Sequence, residues 1–225
     1  MPLLRLSEKL IYFSHIPKTG GTSIEAYMKT KGSIGFCSPD KLSGAFKTTP
    51  QHFQSEIAST LLPPQMLDAQ FAVIRDPMTR LQSEYRWRGS KRGVVIQRNP
   101  PPHVQLLRKL HKGLGRRALD FDTWVRLTLD GFAKDPWIYD NHIRPQSEFV
   151  TKDHVLFAFE HGLDRPMRWI DSMTNTPPSP GDFWMKRTES ETCDVRSETR
   201  RLVETMYHDD LELHARVVQA GPWEA

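Results

Sequence analysis

Apolar runs broken by glycine, proline and polar turns divide the chain into alternating extended and helical segments. Lys9 to His15, KLIYFSH, is a β-branched and aromatic run that ends at Pro17, Gly20 and Gly21, the pattern of a buried strand entering a turn. Thr22 to Lys29 favours helix and is stopped by Gly32. Thr49 and Pro50 read as the cap and first position of a helix that runs to about Leu62, where Pro63 and Pro64 terminate it. Ala69 to Ile74, AQFAVI, is a second strand, closed by Arg75-Asp76-Pro77 ahead of a helix from about Pro77 to Trp87. After a break at Pro100 to Pro102 comes a basic helical stretch from about Val104 to Arg117, and Asp122 caps a further helix with apolar residues at helical spacing. Val155 to Phe159, VLFAF, is a third strand; Thr174 to Asp182 is a loop, and Ser197 to Val218 is one amphipathic helix.

Strands alternating with helices predict an α/β fold, a central parallel sheet flanked by helices on both faces in three layers. In such sheets ligands gather at the carboxyl ends of strands, here the exits at His15 and Arg75. The length of 225 residues suits one domain, 1–225. An apolar content of 38% with 26% charged residues argues against disorder over any large part. No stretch approaches the ~20 apolar residues of a membrane span, and the N-terminus lacks a signal peptide's basic head and long apolar run, so the chain reads as cytoplasmic. Cys37 and Cys193 lie far apart without a CxxC or Cys/His neighbourhood, which favours free thiols over a zinc site or disulfide scaffold; no metal is expected.

Charge changes this picture in one place. Between Arg86 and Leu119 there are ten Lys or Arg and no acid; with a total of +4, the remainder of the chain carries about −6. The stretch from about 86 to 118 reads as a basic insertion on the acceptor side. A polyanionic partner and a merely solvated basic face fit it equally well. It lacks interleaved aromatics and any known module, so nucleic acid is not expected.

The first strand exit carries the chemistry. Pro17, Lys18, Thr19, Gly20, Gly21, Thr22 and Ser23 combine two glycines whose N–H groups can curl round an anion, hydroxyls at a helix start, and a lysine in the turn. That is a phosphate site. A nucleoside-triphosphate P-loop needs its lysine after the glycines and a hydroxyl on magnesium, whereas Lys18 precedes them. At the second exit Arg75 can fork onto two phosphate oxygens, with Ser83 two helical turns further on the same side. Arg80 reads as an exposed helix charge paired with Glu84 at i+4.

The stretch from His15 to Ser23 resembles the 5′-phosphosulfate loop of sulfotransferases that use 3′-phosphoadenosine-5′-phosphosulfate (PAPS), most closely the heparan and dermatan 2-O-sulfotransferase branch and its small bacterial relatives. The run from Phe71 to Tyr85 resembles that family's 3′-phosphate motif, and weaker likenesses extend through Asn141–Gln146, Phe157–Glu160 and Tyr207–Asp210. The resemblance implies a P-loop-like fold, PAPS as co-substrate and the adenosine bisphosphate (PAP) as product, without metal. It also implies that Lys186, Arg187 and Thr188 reach over the 3′-phosphate, although a solvated loop fits them equally.

Sulfuryl transfer needs charge stabilisation on the leaving phosphate and a base for the acceptor's proton. Lys18 is assigned the first role, with a purely ground-state phosphate contact as its competitor, and His52 the second, because members of the family place a histidine between the two motifs. A surface histidine is the bland alternative for His52. His142 is the second candidate, as base or acceptor contact, while His15 reads as structural and no tryptophan is assigned a role. The acceptor is expected to be a hydroxylated saccharide or small metabolite, anionic if the basic segment faces it. The 2-O-sulfotransferases that the loop resembles carry a membrane anchor and luminal cysteines that this chain lacks, so a glycosaminoglycan does not follow. A nucleotide or sugar kinase and a non-catalytic nucleotide binder are the competing readings, and oligomeric state is not readable.

Overall fold

The computed structural model describes residues 1–38, 44, 46–89, 120–183 and 194–221. Five strands form one sheet in the order β3-β1-β2-β4-β5: β1 Leu3–Leu6, β2 Lys9–Ser14, β3 Ser33–Gly35, β4 Ala69–Ile74 and β5 Val155–Ala158. The three predicted strands, β2, β4 and β5, are parallel neighbours. The sheet is nevertheless mixed, because β1 pairs antiparallel with both β2 and β3. This hairpin was not predicted for a physical reason. Its two-residue turn has no Gly or Asn marker and instead holds Ser7 at φ 53°, and β3 is only three residues long.

Alternating side chains build two cores. Leu4, Ile11, Phe13, Phe71, Val73 and Phe157 face one side, against Ile24, Tyr27 and Met28 of α1 (Gly21–Met28) and the helix Asp164–Thr174. On the other side Leu3 and Tyr12 pack on Phe53 and on Ala58 of α2 (Ser55–Leu61), while Ala72, Ile74 and Leu156 pack on Leu213 and Val217 of the C-terminal helix His208–Gln219. Helices thus cover both faces, and the three-layer α/β expectation holds. Beside the sheet, Leu81 of α3 (Pro77–Gly89) joins Trp124, Val125 and Leu129 of α4 (Phe121–Lys134) and Val203 of the helix Ser197–Met206. In chain order the three helices after α4 are α5 (Asp164–Thr174), α6 (Ser197–Met206) and α7 (His208–Gln219). Among the described residues no helix is long and apolar enough to cross a membrane.

Three helix expectations need correction. The segment from Thr49 to Leu62 is not one helix: Pro50–His52 is a 3-10 turn, Phe53 and Gln54 are extended, and α2 starts at Ser55. Asp120, not Asp122, caps α4, accepting the Thr123 N–H at 2.8 Å. Ser197–Val218 breaks at Tyr207, where φ is −113°. That residue leaves helical geometry while its hydroxyl donates to the Ile143 carbonyl at 2.6 Å.

This bond belongs to a set that holds residues 138–149, two 3-10 turns (Ile138–Asn141 and Gln146–Phe149) with a short link between. Tyr139, Asp140 and Asn141 are all left-handed, with φ of 56°, 59° and 64°. Each such non-glycine costs about 1 kcal/mol, so other groups must impose the shape. Arg80 is one of them, and here too the sequence reading fails: it is 1% exposed and donates to the carbonyls of His142 (3.2 Å) and Arg144 (2.8 Å). Asp210, fully buried, accepts the N–H groups of Gln146 (2.7 Å) and Ser147 (2.9 Å).

Asp210→Ala leaves one buried and one partly buried N–H group without their acceptor and should lower unfolding stability by about 3 kcal/mol, read from urea denaturation. An unchanged midpoint would show that the carboxylate does not hold this segment. A second expectation concerns pH. Burial lowers the pKa of His15, His142 and His154 to about 4, so the folded protein keeps them neutral where the unfolded chain protonates them. Between pH 6.5 and 4 the unfolded state therefore binds more protons, and stability falls as pH falls. His214 works oppositely: its bond to Glu160 raises its pKa, adding stability below 6.5 that is lost as pH rises through the folded value. Being partly exposed, it is the weaker effect. Melting temperature should drop from pH 6.5 to 4. In His154→Asn, whose Oδ1 can still accept the Thr151 N–H now bound at 3.0 Å, it should drop less. A flat profile in the parent protein would refute the assignment.

Candidate active site

At the exit of β2 the chain enters a loop with two left-handed residues, Lys18 (φ 72°) and Gly20 (φ 86°). Such a turn curls successive N–H groups round a concavity that suits an anion. The Thr19 hydroxyl braces it from inside by donating to the Ile16 carbonyl at 2.9 Å. Helix α1 begins at Gly21 with no side-chain cap and no acid in its first turn, so its N-terminal dipole is not offset by a neighbouring carboxylate. Both glycines are sterically required. A Cβ on Gly20 would lie 2.7 Å from a Leu163 methyl, and one on Gly21 would lie 2.0 Å from Nε2 of His15.

The exit of β4 is tied to this loop. Arg75 donates through Nη1 to the Lys18 carbonyl (3.2 Å) and through Nε to the Thr79 hydroxyl (3.2 Å), and its guanidinium lies 4.4 Å over the Phe159 ring. Burial, foremost, lowers its pKa. The Gln146 amide fixes the Arg75 backbone, donating to its carbonyl (2.8 Å) and accepting its N–H (3.0 Å). The Asp76 N–H donates to Glu160 at 3.0 Å. Ser83 lies buried on α3. Of the residues singled out for phosphate, Pro17 to Ser23 and Arg75 thus stand on adjoining strand exits, linked directly by the bond from Arg75 to Lys18, and Ser83 lies on the helix that follows the second exit.

Above these exits three histidines line up, each with a carboxylate on Nδ1. His15 meets Glu25 at 2.5 Å, His52 meets Asp140 at 2.8 Å and His142 meets Glu84 at 2.8 Å. An ionised carboxylate only accepts, so a neutral ring in any of these pairs carries its proton on Nδ1 and turns an acceptor Nε2 elsewhere. The rings are also in contact: His15 to His52 at 5.1 Å and His52 to His142 at 4.9 Å, both edge to face. His142 stacks at 5.5 Å on Trp87, and the Lys18 ammonium lies 5.1 Å over that same indole. Lys18, His142 and His52 are therefore joined by continuous contact.

The carboxylates differ. Glu84 is fully buried, and although burial alone would raise its pKa, Arg88 (ion pair, 2.5 Å) and His142 hold it far below the usual range. Asp140 is likewise held far below its usual value against the cost of burial, by His52 first and then by the hydroxyls of Thr48 and Thr49. Donor atoms of His52, Asp140 and His142 lie within 4.8 Å of one another, so these three could contact a metal ion. Asp140 has little to offer one, since its oxygens already accept four hydrogen bonds: from the Thr48 hydroxyl (2.6 Å), the Thr49 N–H (2.6 Å), the Thr49 hydroxyl (2.7 Å) and His52.

Glu25, Glu84, Trp87 and Asp140 were not identified from sequence. Glu84 and Trp87 sit inside or beside the second motif, but no spacing says which histidine a carboxylate meets. Asp140 depends on a left-handed backbone that its sequence does not announce. Lys186, Arg187 and Thr188 lie outside the described residues, as does most of the basic segment. Of its described members, Arg88 pairs inward with Glu84, its guanidinium 3.3 Å over the Tyr139 ring. Cys37 is a free thiol, with its pKa pushed up to about 11 by burial.

No curated protein and no solved structure matches the chain. The model of the sulfotransferase family matches residues 3–215, spanning both strand exits, the histidine row and the C-terminal helices. With that match covering nearly all of the chain, the chain belongs to the sulfotransferase family.

Proposed function

We propose that the protein transfers the sulfuryl group of PAPS to a hydroxyl of a saccharide or small-metabolite acceptor, in line, without a metal. The observation that carries this reading is the run of contacts from Lys18 through Trp87 and His142 to His52, which joins a cation at the first strand exit to a candidate base. In this reading Pro17 to Ser23 hold the donor's 5′ end, Arg75 and Ser83 its 3′-phosphate, and Lys186 to Thr188 close over it. His52 Nε2 accepts the acceptor's proton as its oxygen attacks sulfur. The bond from sulfur to the bridging phosphate oxygen breaks, and PAP departs with the extra charge on a 5′-phosphate oxygen that Lys18 stabilises. His142 stands beside the base as an acceptor contact. Its position under Trp87 and over the buried Glu84 ties it to Lys18 and not to the Asp140 network.

Lys18→Ala should lower kcat about 100- to 1,000-fold while changing PAP affinity, measured by calorimetry, about tenfold or less. Equal losses in both would reduce Lys18 to a ground-state contact. His52→Ala should cost about 100- to 10,000-fold in kcat, and His142→Ala clearly less. The reverse order would exchange their roles. Turnover should be insensitive to EDTA, and loss of activity restored by a divalent ion would replace the proton-transfer reading of the histidines with a metal one. PAP binding without transfer to any member of a broad acceptor panel would leave only a nucleotide-binding role.

The ten cations between Arg86 and Leu119 support an anionic acceptor. Reversing charge at Arg108, Lys109 and Lys112 should raise KM for anionic acceptors several-fold and leave PAP affinity unchanged. A preference for neutral acceptors that survives this change would overturn the assignment.

A further inference from the structure

Resting on the assignment of His52 as base, we infer that Asp140 is the positioning residue that sets the tautomer of His52 and stabilises its imidazolium. The chain spends three consecutive left-handed residues, 139–141, to place this carboxylate. Two side chains of that turn grip the His52 turn. Asp140 takes the ring through Nδ1 at 2.8 Å, and Asn141 donates at 2.9 Å both to the His52 carbonyl and to the Gln54 side chain. Arg144 in turn orients Asn141, its Nε donating to Oδ1 at 3.0 Å.

The two carboxylate–histidine pairs beside Lys18 are not equivalent. Glu84 already has a permanent cation, Arg88, so protonating His142 would add a second positive charge to a neutralised acid. Asp140 is met instead by neutral donors: two threonine hydroxyls and one backbone N–H. When His52 takes up the acceptor's proton, the new charge faces a carboxylate that no guanidinium has neutralised, and the field grows with the reaction. The hydrogen bonds also fix which oxygen does what. Oδ1 must accept the Thr49 N–H, a donor that cannot rotate away, which leaves Oδ2 for the Nδ1 proton of His52. His52 is thereby held with a bare Nε2, the form a base needs.

Asparagine at position 140 tests this. The Thr49 N–H keeps the amide oxygen on the Oδ1 side, so the amide NH2 faces His52 and donates to Nδ1, driving the ring proton to Nε2. Long-range 15N-edited NMR should find His52 protonated on Nδ1 in the parent protein and on Nε2 in Asp140→Asn. Turnover in that variant should fall about 1,000-fold or more, with PAP affinity unchanged. The parent spectrum decides independently of how the variant folds: a His52 proton on Nε2 there overturns the inference. So does an Asp140→Asn protein that keeps both tautomer and turnover. A parent protein with the Nδ1 proton but no sulfuryl transfer would sink the catalytic assignment of His52, while Asp140's hold on the ring would stand.

Discussion

Residues 138–149 include no strand or α-helix, and the backbone polar groups that their two 3-10 turns leave open find partners on side chains that arrive from elsewhere. Arg80 from α3, Tyr207 between α6 and α7, and Asp210 from α7 supply them. Through this side-chain scaffold the segment presents Asp140 and Asn141 to the His52 turn, His142 to Glu84, and Gln146 to the backbone of Arg75. The distant C-terminal helices therefore reach the strand exits. Their contribution is geometric, transmitted by hydrogen bonds to carbonyl and N–H groups, and the residues that make it lie within the family match, which runs to residue 215.

The parts legible from sequence were those whose cause is local. Buried β2, β4 and β5 announce themselves as short apolar runs, and the phosphate loop as glycines at a strand-to-helix turn. The place of Arg75 just after β4 and of Ser83 on α3 follows from the same local pattern. What was not legible depends on partners distant in sequence. The β1–β2 turn uses a left-handed Ser7, which no composition rule selects. Arg80 and Glu84 form an i+4 pair by spacing, yet tertiary contacts give Arg80 to two carbonyls and Glu84 to Arg88 and His142. Each of the three weakly matched segments has a tertiary role that its sequence does not show: Gln146 clamps Arg75, Phe159 supports its guanidinium, and Asp210 caps the turn that holds Gln146.

The electrostatic arrangement answers a problem set by the donor. The proposed donor, PAPS, brings several negative charges, and a base beside them would ordinarily be pulled toward its protonated, useless form. Burial opposes that pull at His142, which stays neutral despite Glu84 beneath it. The acids are placed under the rings, with Glu84 sealed from solvent and Glu25 nearly so, so that they act on Nδ1 of each imidazole and not on the donor. Lys18 and Arg75 stand at the strand exits, while Arg88 turns inward onto Glu84. Glu25 and Glu84 thus lie buried behind His15 and His142, and Asp140 is the more open of the three acids.

That arrangement also bears on how the reaction is driven. A cation that touches the donor equally before and during transfer lowers its dissociation constant without raising turnover. Only charges whose environment changes along the coordinate accelerate the step. In the proposed reaction two do so, the leaving phosphate oxygen near Lys18 and the imidazolium that forms over Asp140. They develop at the two ends of the contact run through Trp87 and His142. The indole and the neutral imidazole between them keep the two cationic centres apart while leaving each its own counter-charge. A second cation at His142 would repel both. Holding His142 neutral is, on this argument, as necessary to the mechanism as placing the base.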